Sequence, residues 1–437
     1  MFVVEVPPVP KPVEAVVIVD PFSTGASLAA HCYAMGYKII AVYSAELDKL
    51  ANLTNLIPQG LTLEFEAIIG FEADIGGMAT KVRACGFPVM AIMAGAETGV
   101  ELADALSSNM GLRSNGTAQS EARRNKFVMG ETVRRAGVRA VKQKVVTEWQ
   151  QVEAFLDEWQ PNPFKVIVKP TESAGSEDVT LCLSPEELRE AYHRIMGKVN
   201  GLGLVNKAVL VQEYLEGTEY VIDMVSVDGH HKVVAVWEYD KGPCNGAKFV
   251  MFGMRPLLAT DDRIAEIIAY QKQVITALGV QHGPTHGEVK WFQDAPCLVE
   301  VGARCHGGEG TWLPVANAFY GYSQVEVTAA AYLNQSTFSA YPDNPVANIS
   351  CGKILCLIVK VTGKLVEISP DLIEEMRQMR SFGRCEIYVK LGQDIVPTVN
   401  GFTFGGVVVL KHAEQAVVDA DYARIREMED QDLFVVA

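Results

Sequence analysis

The sequence predicts a multidomain chain that opens with a parallel, Rossmann-like α/β domain and continues as α+β and strand-rich segments. Three observations carry this. The length, 437 residues, exceeds what one compact core accommodates and suggests two to four domains or subdomains. The first hundred or so residues alternate short apolar runs with helical stretches, the pattern of a parallel sheet with crossover helices. From residue 206 onward, apolar strand candidates and tight turns dominate.

In the first domain, residues 15–19 (Ala-Val-Val-Ile-Val) form a buried-strand candidate, followed by Asp20-Pro-Phe-Ser-Thr-Gly-Ala-Ser and a helical stretch over 28–35. Further strand candidates follow at 39–43, 67–69 and 89–93. The loop Ser23-Thr-Gly25-Ala reads either as a tight βα turn or as a ligand contact. A dinucleotide G-x-G-x-x-G is absent, which argues against a Rossmann oxidoreductase. Residues 1–110 are assigned to this domain and 111–139 to a helical connector, with a strongly charged helical pattern over 117–136.

Residues 140–205 read as a small α+β subdomain. A strand by alternation at 141–146 leads to a helix over 147–159, and Pro161-Asn-Pro163 breaks the chain before the strand Lys165-Val-Ile-Val-Lys169. Another strand, Leu181-Cys-Leu183, precedes Ser184-Pro-Glu-Glu187. There Ser caps a helix, Pro sits in its first turn and Glu187 completes a capping box, with Leu188, Ala191, Tyr192, Ile195 and Val199 at helical spacing. Residues 206–437 form the last unit, with strands predicted at 208–214, 219–226, 233–239, 284–292 and 297–301 and a helix at 262–278. A strand-rich C-terminal extension follows, with a turn over 401–406.

Composition narrows the function classes. The chain is 49% hydrophobic and 21% charged, as in ordinary globular proteins, and its net charge is −15. The absence of a Lys/Arg cluster argues against nucleic-acid or anionic-membrane partners. Met1 to Pro8 lacks the basic and apolar regions of a signal peptide, and no apolar run reaches the roughly 20 residues that span a bilayer. Nine scattered cysteines without C-x-x-C read as reduced thiols, and the expected location is cytoplasmic.

Three constellations carry chemistry. The first is a pair of strands, His286-Gly-Glu288-Val-Lys290-Trp and Leu298-Val-Glu300-Val-Gly302-Ala-Arg304, joined by the hairpin turn Gln293-Asp-Ala-Pro. Period-two alternation puts His286, Glu288 and Lys290 on one face and Glu300, Gly302 and Arg304 on another. If those faces meet, two carboxylates approach each other. Either a divalent cation such as Mg²⁺ lies between them, or they belong to a solvent-facing pair with cross-strand ion pairs. The second is Val166-Ile-Val-Lys169-Pro-Thr-Glu-Ser173-Ala-Gly175-Ser176, a strand delivering a lysine into a small-residue loop. Its N–H and hydroxyl groups can wrap phosphate oxygens, or it is simply a mobile turn. The third is Val209-Leu-Val-Gln212-Glu213-Tyr-Leu215-Glu-Gly217-Thr-Glu219, a strand, a hinge and a second strand. Hinge backbone groups can pair with an adenine edge and a carboxylate with ribose hydroxyls; a plain hairpin is the alternative.

Taken in order, the lysine strand and glycine loop, the hinge and the two Glu-bearing strands resemble the ATP-grasp superfamily. Within it they resemble the L-amino acid ligases, the dipeptide-forming branch with bacilysin synthetase, over residues 115–315. The resemblance implies an ATP-grasp fold with a Rossmann-like N-terminal domain, a lid over 140–205 and a β-rich catalytic subdomain. It implies that Lys126 and Lys169 contact ATP phosphates, with Ser173, Gly175 and Ser176 in the loop closing over the triphosphate. Gln212, Glu213 and Leu215 match the adenine hinge, and Glu219 the ribose-binding acid. Glu288 and Glu300 match ligands of Mg²⁺, or of Mn²⁺ in its place. Arg304 matches the arginine holding the carboxylate and the transferred phosphate. Gly302 departs from the Glu-x-Asn found in many ATP-grasp enzymes.

Arg304-Cys-His306-Gly307-Gly308-Glu-Gly310 is read as a loop touching the acyl substrate, and Met251-Phe-Gly-Met-Arg255 as an opposite wall. Cys305 beside His306 is not read as a nucleophile pair, because adjacent strand residues point apart. No general base is assigned; His286 is a candidate, or a purely structural histidine beside two acids. The expected activity is ADP-forming carboxylate–amine ligation through an acyl phosphate, giving a dipeptide. The alternative is joining an amino acid to a non-amino-acid carboxylate or amine. Expected partners are small-molecule substrates, and the assembly is left open between monomer and homodimer.

Overall fold

The computed structural model describes residues 13–437 except 48, 51–55, 59, 174 and 346–349. The N-terminal residues through Pro8 and Ala174, both read above, lie outside the described residues. Four parallel strands open the chain: β1 (Ala15–Val19), β2 (Lys38–Val42), β3 (Ala67–Ile69) and β4 (Val89–Ala94), in the order β3-β2-β1-β4. Helices α1 (Thr24–Ala34), α2 (Ile75–Ala84) and α3 (Val100–Asn109) cover them. β1 is buried along its whole length, which is why it reads as a continuous apolar run rather than an alternating one.

The connector departs from the single helix expected over 117–136. A 3₁₀ turn at Glu121–Arg123 ends before Asn125, whose side chain accepts the amides of Phe127 and Val128 and so starts α4 (Lys126–Arg135) afresh. An Asn at that position competes for backbone N–H groups and favours a cap over a helix interior.

The next sheet holds β5 (Gln143–Val146), β6 (Val166–Pro170), β7 (Thr180–Cys182) and β8 (Val209–Glu213), ordered β5-β8-β6-β7. α5 (Trp149–Trp159) and α6 (Pro185–Ile195) pack on it, burying Val152, Phe155, Leu188, Ala191, Tyr192 and Ile195. The boundary expected at 205 thus precedes a strand that pairs with β5 and β6. Ser184 caps α6 by accepting the Glu187 amide. Glu187 instead accepts the Leu183 amide, one residue before the cap, so the reciprocal half of the box is displaced. Val199 lies beyond the helix and is exposed, not on its buried face.

An eight-stranded sheet dominates the remainder. It contains β9 (Glu219–Val227), β10 (His230–Cys244), β11 (Ala247–Leu257), β12 (Gly283–Phe292) and β13 (Ala295–Gly302), with α7 (Asp262–Ala277) between β11 and β12. Helices α8 (Leu313–Tyr320), α9 (Gln324–Leu333) and α10 (Gln335–Ala340) follow, then β14 (Cys351–Leu357), β15 (Gly363–Ile368), α11 (Pro370–Gln378), β16 (Phe382–Ile387), β17 (Asp394–Ile395), β18 (Gly406–His412), α12 (Gln415–Met428) and β19 (Phe434–Val436). The order β13-β12-β9-β10-β11-β14-β18-β16 makes the C-terminal extension part of the same sheet, and β17-β15-β19 form a small separate one. One face of the large sheet packs against α4 and α7 through Val133, Ile267 and Val274. The other packs against α8, α9 and the N-terminal domain in a core that includes Ile18, Leu28, Trp237 and Trp312. Among the described residues no helix is long and apolar enough to cross a membrane, and all nine cysteines are free.

Candidate active site

β12 and β13 form the hairpin expected from the sequence, with Gln293 and Asp294 at φ +49° and +56° in its turn. The register pairs Glu288 with Glu300 and His286 with Gly302, so the two carboxylates are cross-strand neighbours. They line a cavity of about 360 Å³ between the N-terminal domain, the β5–β8 sheet and the large sheet. Every candidate residue lines this one cavity: Lys126, Lys169, Ser173, Gly175, Ser176, Gln212, Glu213, Leu215, Glu219, Glu288, Glu300, Arg304, His306, Gly307 and Gly308.

Lys126, first residue of α4, bridges two of these groups. Its Nζ lies 3.0 Å from Glu300 Oε2 and donates to the Ser173 carbonyl at 2.8 Å. Lys169 is buried at the end of β6, and burial draws its ammonium down to about 8 despite the nearby Glu300 carboxylate. A buried lysine of this kind gains most when an anion arrives to share its charge. Beyond it, Gly175 and Ser176 turn the loop with φ +67° and +59°. The Gly175 carbonyl accepts the Gly401 amide at 2.8 Å, so the 401–406 turn of the C-terminal extension reaches over the loop.

At the hinge, the Gln212 side-chain amide donates to Gln143 Oε1 at 2.9 Å, and Glu213 Oε1 accepts the Lys142 amide at 2.9 Å. Both side chains bond within the β5–β8 sheet, and both residues line the cavity. Glu219 is buried and paired with Lys241 and, at 3.8 Å, with Lys290. Burial pushes Glu219 up, against the pull of Lys241, while at Glu288 the opposing effects of Lys241 and His286 outweigh burial and hold the carboxyl well down. Glu288 is thereby kept anionic at the cavity face.

A buried network underlies this face. Asp223 on β9 meets His286 Nδ1 and His306 Nδ1, each at 3.0 Å, and accepts from Trp237 Nε1 at 2.8 Å. His286 Nε2 reaches Glu288 Oε1 at 3.4 Å. Burial alone would lower His286, but its bonds to Asp223 and Glu288 carry it up to about 9. Held between two carboxylates, His286 keeps its proton more firmly than a free imidazole does. His306 goes the other way, lowered chiefly by burial.

Arg304 lies past the end of β13, so it shares no strand face with Glu300; its Nε instead sits 2.9 Å from Glu97 Oε2. Glu97, which follows β4, also takes Arg124 at 3.1 Å; the pull of Arg304 and Arg124 outweighs burial and lowers it. Cys305 and His306 lie in a loop and not in a strand, so the strand-alternation argument does not apply to them; burial pushes the Cys305 thiol up to about 12. Ser23 and Thr24 hold that loop and also line the cavity: Thr24 Oγ1 donates to the Gly307 carbonyl at 3.1 Å and the Glu309 amide to Ser23 Oγ at 3.0 Å. Met251 and Met254 line the cavity, whereas Arg255 pairs with Glu238.

Sequence reasoning missed Glu97, Arg124, Lys241 and Asp223. Alternation along Glu219-Tyr-Val-Ile-Asp223 signalled Asp223, which shares a strand face with Glu219. For Glu97 no signal existed, because packing between domains brings it to Arg304.

The chain is 30% identical over 327 residues to dapdiamide A synthase of Enterobacter agglomerans, covering 74% of each chain. An ATP-grasp domain is matched over residues 162–312. The chain belongs to the ATP-grasp ligases. As such it is an ATP-dependent carboxylate–amine ligase. This ATP-grasp ligase is also 29% identical over 218 residues to alanine–anticapsin ligase of Bacillus subtilis, covering 45% of this chain and 44% of that one. In fold it matches the crystal structure of L-amino acid ligase from Bacillus licheniformis, with TM-score 0.73, 18% identity and coverage of 95% and 98%.

Proposed function

We propose that this ligase activates an amino-acid carboxylate as an acyl phosphate and couples it to the amine of a second amino acid, giving a dipeptide, ADP and phosphate. The observation that carries the proposal is the register pair Glu288/Glu300, opening on one cavity with Lys126, Lys169 and Arg304. The names of dapdiamide A synthase and alanine–anticapsin ligase support an amino-acid substrate.

The donors fit a hard divalent cation: Glu288 and Glu300 are register partners that line one cavity, and the imidazole beside them, His286, is already bonded to Asp223 and Glu288. Glu288 and Glu300 would hold Mg²⁺, or Mn²⁺ on the same oxygens, which supplies charge neutralisation to the triphosphate. Lys126 and Lys169 bind the phosphates, the 173–176 loop covers them, and the backbone after Glu213 receives adenine. Glu219, with Lys241 and Lys290, borders the ribose.

In the first step a carboxylate oxygen attacks the γ-phosphorus and ADP leaves. Positioning and neutralisation dominate such a transfer. In the second, the amine attacks the acyl carbon, the C–O bond to phosphate breaks, and the amine proton leaves with phosphate or water. Arg304 stabilises the oxygens of both states. Closure of the lid excludes water that would hydrolyse the acyl phosphate. The free thiols fit a cytoplasmic location.

The test is a screen of amino-acid pairs for ATP-dependent phosphate release, with products identified by mass spectrometry. Glu300→Ala should abolish ADP release while the circular-dichroism spectrum stays unchanged; full activity would sink the metal assignment. A product containing one amino acid and a different carboxylate or amine would replace the dipeptide reading.

A further inference from the structure

Among the described residues, Glu309 in the cavity has no ion-pair partner. Glu309 follows the Gly307-Gly308 turn at φ +51°, a left-handed backbone that costs a non-glycine residue energy. That conformation is fixed from outside, since the Glu309 amide donates to Ser23 Oγ at 3.0 Å. The side chain lines the cavity.

Its surroundings come from the C-terminal strands. Val407 of β18 pairs with Cys356 of β14 on one side and with Glu386 of β16 on the other, and Tyr388 follows β16. Ile354, Cys356, Tyr388, Phe404 and Val407 all line the cavity, so this wall is mostly apolar. Burial and the neighbouring Glu386 carboxylate push Glu309 up to about 7, and the Tyr388 hydroxyl draws it only part of the way back. Among the described residues no Lys or Arg pairs with Glu309, whereas Glu386 has Arg384 at 2.6 Å. The Tyr388 hydroxyl oxygen is enclosed and has no well-formed hydrogen bond. A carboxyl held against apolar walls beside a second acid requires a proton or a cation. In a substrate cavity, the ligand can supply that cation.

We infer that Glu309, assisted by the Tyr388 hydroxyl, receives the ammonium group of the carboxylate substrate and so selects an amino acid over the same acid without its amine. The inference rests on the ligase reading above, with Arg304 of the same loop holding the carboxylate and the apolar wall taking the side chain.

The experiment uses the full-length enzyme with MgATP and hydroxylamine as acceptor, so that activation is read as hydroxamate without the second amino acid. Each proteinogenic L-amino acid is paired with its skeleton lacking the amine, L-leucine with 4-methylpentanoate for instance. Wild type should favour the amino acid by about 100-fold in kcat/KM, the scale of a charged hydrogen bond in a buried site. Glu309→Gln should remove most of that preference by slowing the amino acid, with its amine-free partner and the KM for ATP within about twofold of wild type. Tyr388→Phe should erode the preference by about tenfold and provides the same readout if Glu309→Gln does not fold. Equal loss with both members of a pair, or a preference that survives both substitutions, overturns the assignment. Equal use of both members by wild type overturns it too, while leaving the ligase reading standing. No hydroxamate from any carboxylate defeats the ligase reading itself, and the assignment with it.

Discussion

At the scale of single residues, the site divides its ionisable groups by what surrounds them. Lys169 has no carboxylate at ion-pair distance among the described residues, and its burial makes it depend on an incoming anion. Lys169→Ala should raise the KM for ATP by at least about tenfold, as expected for a lost charged contact, with the fold retained; unchanged ATP kinetics would remove it from phosphate binding. A histidine far from the cavity gives a separate test. His231 is buried between Ser226 Oγ at 2.8 Å and Thr276 Oγ1 at 3.0 Å, and burial lowers it to about 4. The unfolded chain therefore binds this proton between about pH 6.5 and 4 while the folded chain does not. Its neutral form contributes stability fully present above that window and lost as pH falls through it, up to about 3 kcal/mol. Chemical denaturation of His231→Gln across this range should show a flatter profile than wild type. The residues that alternation exposed, His286 through Glu300, were legible because a strand repeats every two residues. Glu309 was not, because its loop takes its course from Ser23 and Thr24 in another domain.

At the scale of elements, the loop after β6 is clasped from outside. The Gly401 amide bonds the Gly175 carbonyl, and a Cβ placed on Gly175 would lie 3.4 Å from the Phe402 ring, against which the loop packs. Phe402→Ala should leave the core intact, since Phe402 is 42% exposed, yet loosen this clasp. The expected result is faster proteolysis within 171–178 in the absence of nucleotide and a several-fold higher KM for ATP. Unchanged protection of that segment would mean the clasp does not order the loop. The sequence identified the glycine turns at both ends of this contact, but not that they meet. Strand pairing between distant segments depends on the sheet order, and β14, β18 and β16 join the large sheet out of chain order.

At the scale of the whole molecule, a buried ion pair pins the connector between two domains. Arg123 is fully buried, pairs with Asp104 of α3 at 2.8 Å and donates to the Leu278 carbonyl after α7 at 2.9 Å. Arg123→Ala leaves Asp104 buried without its cation and should destabilise the protein by about 3–5 kcal/mol, measured by urea unfolding. A loss below about 1 kcal/mol would show that the domains are held by apolar packing alone. Local sequence determined the parallel N-terminal sheet, the strands and helices of the β5–β8 sheet, the β12–β13 hairpin and most of the residue types that line the cavity, because each depends on short-range periodicity, capping and turn chemistry. Tertiary structure decided which groups face the cavity together. It brings Glu97 to Arg304 from the N-terminal domain and joins two imidazoles on Asp223. It also sets Glu309 beside Tyr388 from a strand far along the chain. Those approaches are fixed by packing between elements distant in sequence, which local pattern does not encode.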